Sequence, residues 1–562
     1  MTLRPPSAID LIAEQFSADF AELNPVEATF AGLAGHDHQL GDYSPDGLAA
    51  TAEVHRRALR ELAQAPVADP TDQVTLAAMQ DRLGLAVELY ESGAWHADLN
   101  VIASPVQTLR EVFDVMPTDT ADAWGDIAAR LRLIPQALSG YQAALRQAAA
   151  RGQVAARRQV EECIVQAAEL AQPDTSFFVT LAATGAAGEV VPTALSHDLA
   201  VAAGQAAAAY GELAQFLGAE LLPAADVEDA VGRDRYRLHS RSFVGAEVDL
   251  DETYAWGLSE LERLTTERRA IVAQLAGSEA SLADAVAVLD HDPRQVLHGT
   301  DALQRWMQET SDAAIEALDG SHFSIPEPLK TLECRIAPTE SGAIYYTGPS
   351  DDFSRPGRMW WSVPTGVTTF APWREKTTVY HEGVPGHHLQ IGQSVYNTDQ
   401  LNTWRRLLSW SSGHGEGWAL YAETLMTEFG FMDAPADRLG YLDSQLLRAA
   451  RVVVDIGVHL KLSAPAVWGG GRWDADKAWR LLRATVSMDD ASLRFELNRY
   501  LGWPGQAPSY LVGQRLWQQA RAEAQAEQGS EFDLAAWHNR ALHLGSVPLQ
   551  VLQQALRGDS AA

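Results

Sequence analysis

The stretch TTVYHEGVPGHHLQ, residues 377–390, sets a histidine beside a glutamate, His381 and Glu382, as at the start of a zinc-binding H-E-x-x-H helix. In that motif the two histidines are four residues apart, about 6 Å along one helical face, where both imidazoles reach one ion. Here the fifth place holds Pro385, and the next histidines are His387 and His388. On a straight helix His387 points about 120° away from His381, while His388 faces the right way but lies about 10.5 Å along the axis. Neither shares an ion with His381 unless the helix is distorted. The intervening Gly383, Val384, Pro385 and Gly386 are able to distort it. Pro385 lacks the N–H that would bond the carbonyl of His381, its ring crowds that carbonyl, and glycine adopts backbone angles closed to other residues. A bulge absorbing two residues returns His387 to the ligand place; one absorbing three returns His388, the larger distortion. A His-Glu pair alone is an ordinary solvated or hydrogen-bonded pair, so the metal reading needs a third donor.

The segment SSGHGEGWALYAETL supplies a candidate. Glu416 opens a following helix, and Glu423, seven residues on, shares its face. A carboxylate from a following helix completes a two-histidine zinc site and leaves one position for water. Trp418, Leu420 and Tyr421 surround these acids, which are then partly buried and in need of partners; the competing reading is of surface acids. In LLRAARVVVDIGVHLKL, the residues Arg448, Arg451, Asp455 and His459 line one face of an otherwise aliphatic helix. They read equally as an internal ion-pair ladder or as support for a site. NRYLGWPGQAPSYLVGQR sets Arg499, Tyr500, Gln506 and Tyr510 around a rigid Pro-Gly turn. The first three suit substrate contacts. Tyr510, with His459 as second choice, suits an oxyanion beside a metal, unless it is packed as core.

The elements that must position these groups are mainly helical. Leu11, Phe16, Phe20 and Leu23 suggest one core face, and Tyr210, Leu213, Phe216 and Leu217 another in the alanine-rich segment 199–221. Near residue 331 the texture changes: TLECRIAP, GAIYYTGP and GRMWWSVP are short β-rich runs ending at proline or Gly-Pro. They predict a small β-ribbon next to the zinc helix, with helices resuming after Trp373. The chain thus divides into a helical region 1–330, forming one side of a channel, and a region 331–562 with the ribbon and the catalytic helices, together one continuous unit. A strand edge, at Tyr346 or in RMWWSVPTG, suits an extended peptide held by backbone hydrogen bonds. Arg355 and Arg358 suit a substrate carboxylate, or are loop charges.

The whole chain narrows the classes. Its 562 residues are 46% hydrophobic and 21% charged, enough for a large core. A net charge of −31 argues against a nucleic-acid groove and against an anionic membrane surface. Cys163 and Cys334 have no metal-type spacing, and MTLRPPSAIDLIAEQF shows no secretion signal. With no apolar run near the ~20 residues that span a bilayer, the expectation is a cytoplasmic protein.

HEGVPGHHLQ, GEGWALYAE and RYLGWPGQAPSYLVG together resemble a bacterial family of unknown function with an H-E-x-x-P-G-H-H motif. That family is similar in turn to the zinc carboxypeptidases related to carboxypeptidase Taq. The resemblance covers nearly the whole chain, with all three motifs in its second half. It implies a mainly α, large, single-lobed metallopeptidase-like fold with a channel. It also implies one zinc per chain on His381, His387 and Glu416, and Glu382 as base. Glu423, Asp455 and His388 are expected to support the ligands, His388 turning toward solvent or Glu423. The function so implied is a zinc carboxypeptidase or oligopeptidase acting on short peptides, as monomer or oligomer. The alternatives are a hydrolase of a non-peptide amide, and a metal-free helical scaffold that binds peptides or a partner without turnover.

Overall fold

In the computed structural model, which describes residues 4–188, 190–337 and 344–558, the chain is mainly α with two small sheets. Its residues group into two compact units. One is formed by residues 6–232 together with 494–503, and the other by 233–493 and 504–558 with Arg4 and Pro5. The change of texture at 331 therefore lies inside one unit: the helices Arg233–Val244, Leu250–Ala276 and Thr300–Leu318 belong with the sheet and the His-Glu motif.

The first unit is organised by two long helices, Ala121–Ala150 and Thr193–Phe216. Ile127, Leu131, Ile134 and Leu138 from one meet Tyr210, Leu213 and Phe216 from the other in a single core. Alanines along Thr193–Phe216 permit close approach, and the buried Tyr210 hydroxyl is satisfied by the Val106 carbonyl at 3.0 Å. The expected N-terminal stripe needs one correction. Leu11 is 64% exposed, because it stands about 200° round the helix from Ile9, whose face carries Ala13 and Phe16 into the core.

The second unit carries the sheet and the motif. The expected ribbon is a three-stranded mixed sheet: Gly357–Trp361 lies in the middle, parallel to Leu332–Ile336 and antiparallel to Ile344–Thr347. Gln304 and Gln308 of the helix Thr300–Leu318 bond the backbone of Leu332 and Cys334, which caps one side of the sheet. Ile344–Thr347 is left as the strand on the other side. A two-residue pairing, Leu297–His298 with Thr369–Phe370, leads into the motif helix Pro372–Glu382. That helix starts on Pro372, where the missing N–H costs nothing. It lies close on the buried helix Pro435–His459, since a Cβ at Gly440 would come within 2.1 Å of the Trp373 carbonyl oxygen. The helices Ser412–Glu428 and Ser509–Gln528 approach closely at Gly417 and Gly513, where a Cβ on Gly417 would lie 2.5 Å from the Gly513 backbone. Both cysteines are free and buried. Among the described residues, no helix is long and apolar enough to cross a membrane.

Candidate metal centre

The motif helix ends at Glu382 and a new helix, His387–Tyr396, begins after four intervening residues. The hydrogen bonds show how residues 383–386 are accommodated. Gly383 N–H still bonds the Val379 carbonyl at 2.9 Å, four residues back. Gly386 N–H then reaches the Tyr380 carbonyl, six back at 3.1 Å, and His388 N–H the Gly383 carbonyl, five back at 3.2 Å. The regular ladder is thus replaced by a loop that folds His387 back over the end of the motif helix. Gly386 is needed for this: a Cβ there would lie 1.9 Å from the His381 carbonyl oxygen and 2.5 Å from that of Tyr380. Trp418, from Ser412–Glu428, donates its indole N–H to the Pro385 carbonyl at 2.8 Å and ties the loop to the helix that carries Glu416.

The consequence is a convergence of His381, His387 and Glu416. The two imidazole rings are 4.9 Å apart and perpendicular. Glu416 Oε2 lies 3.2 Å from His381 Nε2 and 3.5 Å from His387 Nε2, and one donor atom from each residue falls within 4.8 Å of the others. His381 is oriented from behind. Its Nδ1 is 2.8 Å from Glu423 Oε1, and the other oxygen of that buried carboxylate accepts from the Thr377 hydroxyl. With an ion bound, an Nδ1–H donated to Glu423 would leave the Nε2 lone pair free to ligate, the tautomer that a metal ligand requires.

The electrostatics of this cluster suit a cation. Burial works against a charged His381, but the carboxylates of Glu416 and Glu423 outweigh it and hold the ring's pKa at about 10. Burial likewise opposes the Glu416 carboxylate, yet the two histidines bonded to it keep its pKa well below the usual range. The negative charge that keeps a proton on His381 would also favour a divalent ion among two imidazoles and a carboxylate, a donor set that fits zinc. His387 Nδ1 is buried with no hydrogen-bond partner among the described residues, so its polar contact there is that of Nε2 with Glu416. Glu382, next to His381, is buried, and its pKa is raised by that burial and by Glu416 and Glu423 against the pull of His381 and His387. A carboxyl so placed takes and returns a proton more readily near neutral pH than a solvated one.

The remaining sequence candidates lie elsewhere or carry other bonds. His388 does not turn toward solvent or Glu423. It is fully buried, with Nε2 bonded to the Leu329 carbonyl at 2.9 Å and Nδ1 to the Tyr346 hydroxyl at 3.0 Å. Both nitrogens are engaged with protein groups, so His388 pins the sheet to the second helix, and burial depresses its pKa to about 4. Tyr346 is thereby committed to His388. Arg358 pairs with Glu333 at 2.8 Å on the neighbouring strand. Asp455 accepts from the Tyr236 hydroxyl at 2.6 Å and from Gly505 N–H at 2.9 Å, and His459 stacks on the Tyr236 ring. Arg499 and Tyr500 belong to the other unit, where both bond Glu496. Gln506 is buried in the turn before Ser509–Gln528, and the Tyr510 ring at the start of that helix lies under the Arg451 guanidinium, 4.8 Å away. Two site residues escaped the sequence reading. Thr377 precedes His381 by four, a spacing that does signal a shared face, and Trp418 had shown only its apolar side.

No curated protein matches the chain. Among solved structures, a candidate lipoprotein from Colwellia psychrerythraea superposes with a TM-score of 0.84 at 21% identity, covering 98% of both chains. A candidate lipoprotein of unknown function from Shewanella oneidensis gives 0.72 at 17% identity, over 98% of this chain and 99% of its own. At such identities the likeness is one of fold. The model of the family described as bacterial protein of unknown function (DUF885) matches residues 25–556, and the chain belongs to that family.

Proposed function

We propose that the protein is a zinc-dependent hydrolase of short peptides, of the carboxypeptidase or oligopeptidase type. The observation that carries the reading is the convergence of His381, His387 and Glu416 beside the buried Glu382. The three ligands would hold the ion, which when bound supplies Lewis acidity toward a carbonyl oxygen and toward water. Glu382 takes a proton from the attacking water and delivers it to the leaving amine. Glu423 keeps His381 in the ligating tautomer, and Thr377 keeps Glu423 in place. Tyr510, half-buried, is the donor we assign to the oxyanion, in preference to the fully buried His459. An extended peptide suits the outer strand Ile344–Thr347, because the opposite side of the sheet is taken by Gln304 and Gln308.

One feature favours a second reading. Without metal, a protonated His381 between Glu416 and Glu423 is a satisfied ion network, as a binding scaffold would have. Glu382→Gln decides between them, since the amide keeps the shape and loses the base. The hydrolase reading expects this variant to retain zinc and lose cleavage of a mixed peptide library; wild-type cleavage rates in the variant would refute it. For location, two buried free thiols support a reducing compartment, whereas the lipoprotein description of the two solved relatives supports the cell envelope. Fractionation of the native host separates the two. The acidic surface supports neither nucleic acid nor an anionic membrane as partner.

A further inference from the structure

Beside the ligands stands a side chain that the mechanism above does not use. Trp410 is 45% exposed, although Ser409, Ser411 and Ser412 around it are buried. Its ring lies 6.4 Å from that of His387, tilted by 48°. It also lies close against the first turn of Ser412–Glu428: a Cβ at Gly415 would come within 2.0 Å of the indole Cη2. The residue before the ligand Glu416 must therefore be glycine for the ring to occupy this place. The backbone on either side is fixed, with Ser409 N–H bonded to the Trp404 carbonyl at 2.7 Å and Trp410 N–H to that of Leu408 at 3.0 Å. Isolated exposed apolar residues are ordinary on a protein surface. Trp410 differs from Leu11 or Val227 in touching the helix of one metal ligand while standing beside another.

We infer that the Trp410 indole is the platform for the substrate side chain next to the scissile bond, selecting peptides with a large apolar or aromatic residue there. The inference rests on the hydrolase reading and adds its substrate class. The covalent structure of a peptide supports it: the side chain starts on the carbon bonded to the reacting carbonyl, so a carbonyl drawn to the ion that His381, His387 and Glu416 would hold brings that side chain alongside the indole. An aromatic or branched aliphatic group covers the exposed ring face and removes both surfaces from water, whereas glycine leaves the ring exposed.

The test reads binding, which separates it from the test of turnover. Zinc-loaded protein is titrated calorimetrically with the hydroxamates of glycine, leucine, phenylalanine and lysine, which share a metal-binding group and differ in side chain. The leucine and phenylalanine compounds should bind about tenfold more tightly than the glycine compound, the effect expected from covering one aromatic face. Trp410→Ala should bring that ratio to within about twofold, while Trp410→Phe keeps most of it and both retain zinc. Equal affinity across the series in the wild type, a preference for lysine, an undiminished preference in Trp410→Ala, or no binding to zinc-loaded protein would each overturn the inference. A preference without cleavage of any peptide overturns the hydrolase reading and the inference with it, whereas cleavage without the preference overturns the inference alone.

Discussion

The loop between the two histidines makes a sharp prediction for Gly386→Ala. The added methyl would lie 1.9 Å from the His381 carbonyl oxygen and 2.5 Å from that of Tyr380, where a relaxed contact needs more than 3 Å. Both obstacles are backbone atoms of the motif helix, so no side-chain rotation relieves them. The two helices must separate by about 1 Å, whereas metal–ligand distances tolerate only about 0.2 Å. Overpacking of this kind costs about 1–3 kcal/mol. If the strain falls on the metal site, zinc affinity drops about 5- to 150-fold, since each 1.4 kcal/mol is a factor of ten. Chelator competition measures that affinity, and thermal unfolding with and without zinc shows how much of the strain reaches global stability. Gly204→Ala is the internal control: it lies in the helix Thr193–Phe216 with nothing within 4 Å of the new Cβ. It should stabilise the protein by about 0.5–1 kcal/mol and leave zinc binding untouched. Wild-type zinc affinity and melting temperature in Gly386→Ala would refute the argument that the loop depends on glycine at this position.

Other consequences follow from the same geometry. Glu423→Gln keeps an acceptor for His381 Nδ1 and a contact with Thr377 but removes the charge, and should weaken zinc binding about 10- to 100-fold without loss of fold; an unchanged affinity in chelator competition would deny Glu423 its role. Glu375, half-buried on the motif helix, has its pKa raised from 4.5 to about 7 by burial, against the pull of Arg374, Thr378 and Arg448. Between those two values the folded state holds a proton that the unfolded state has released, so stability falls as pH rises through this window and levels off above it. After discount for partial exposure, Glu375→Gln should remove a loss of about 1–2 kcal/mol, read as a smaller drop in melting temperature between pH 5 and pH 8 than in the wild type. Equal drops in the two proteins would contradict that pKa.

Much of the candidate centre was legible because its determinants are local. Proline and two glycines between His381 and His387 preclude a regular helix whatever surrounds them, and the acid sits at the start of the next long helix. The β-rich runs before the motif were legible for the same reason, since period-two texture and terminal prolines are local signals; their order in the sheet was not, because a parallel pairing of Leu332–Ile336 with Gly357–Trp361 is set by packing. His388 shows the limit most clearly. Its partners, the Leu329 carbonyl and the Tyr346 hydroxyl, lie 59 and 42 residues away in sequence, so spacing along the helix carries no trace of them. Asp455 is similar, bonded to Tyr236 across 219 residues. For Asp455 the need for a partner was legible and its identity was not; for His388 neither was, because its partners are products of tertiary folding.

The central claim, that His381, His387 and Glu416 hold an ion, is tested most directly by elemental analysis of protein purified without added metal or chelator. The account predicts about one zinc per chain, the stoichiometry of a single site with two imidazoles and one carboxylate. Less than about a tenth of an equivalent, not restored by added zinc, would contradict it and return the cluster to a protonated His381 held between two glutamates.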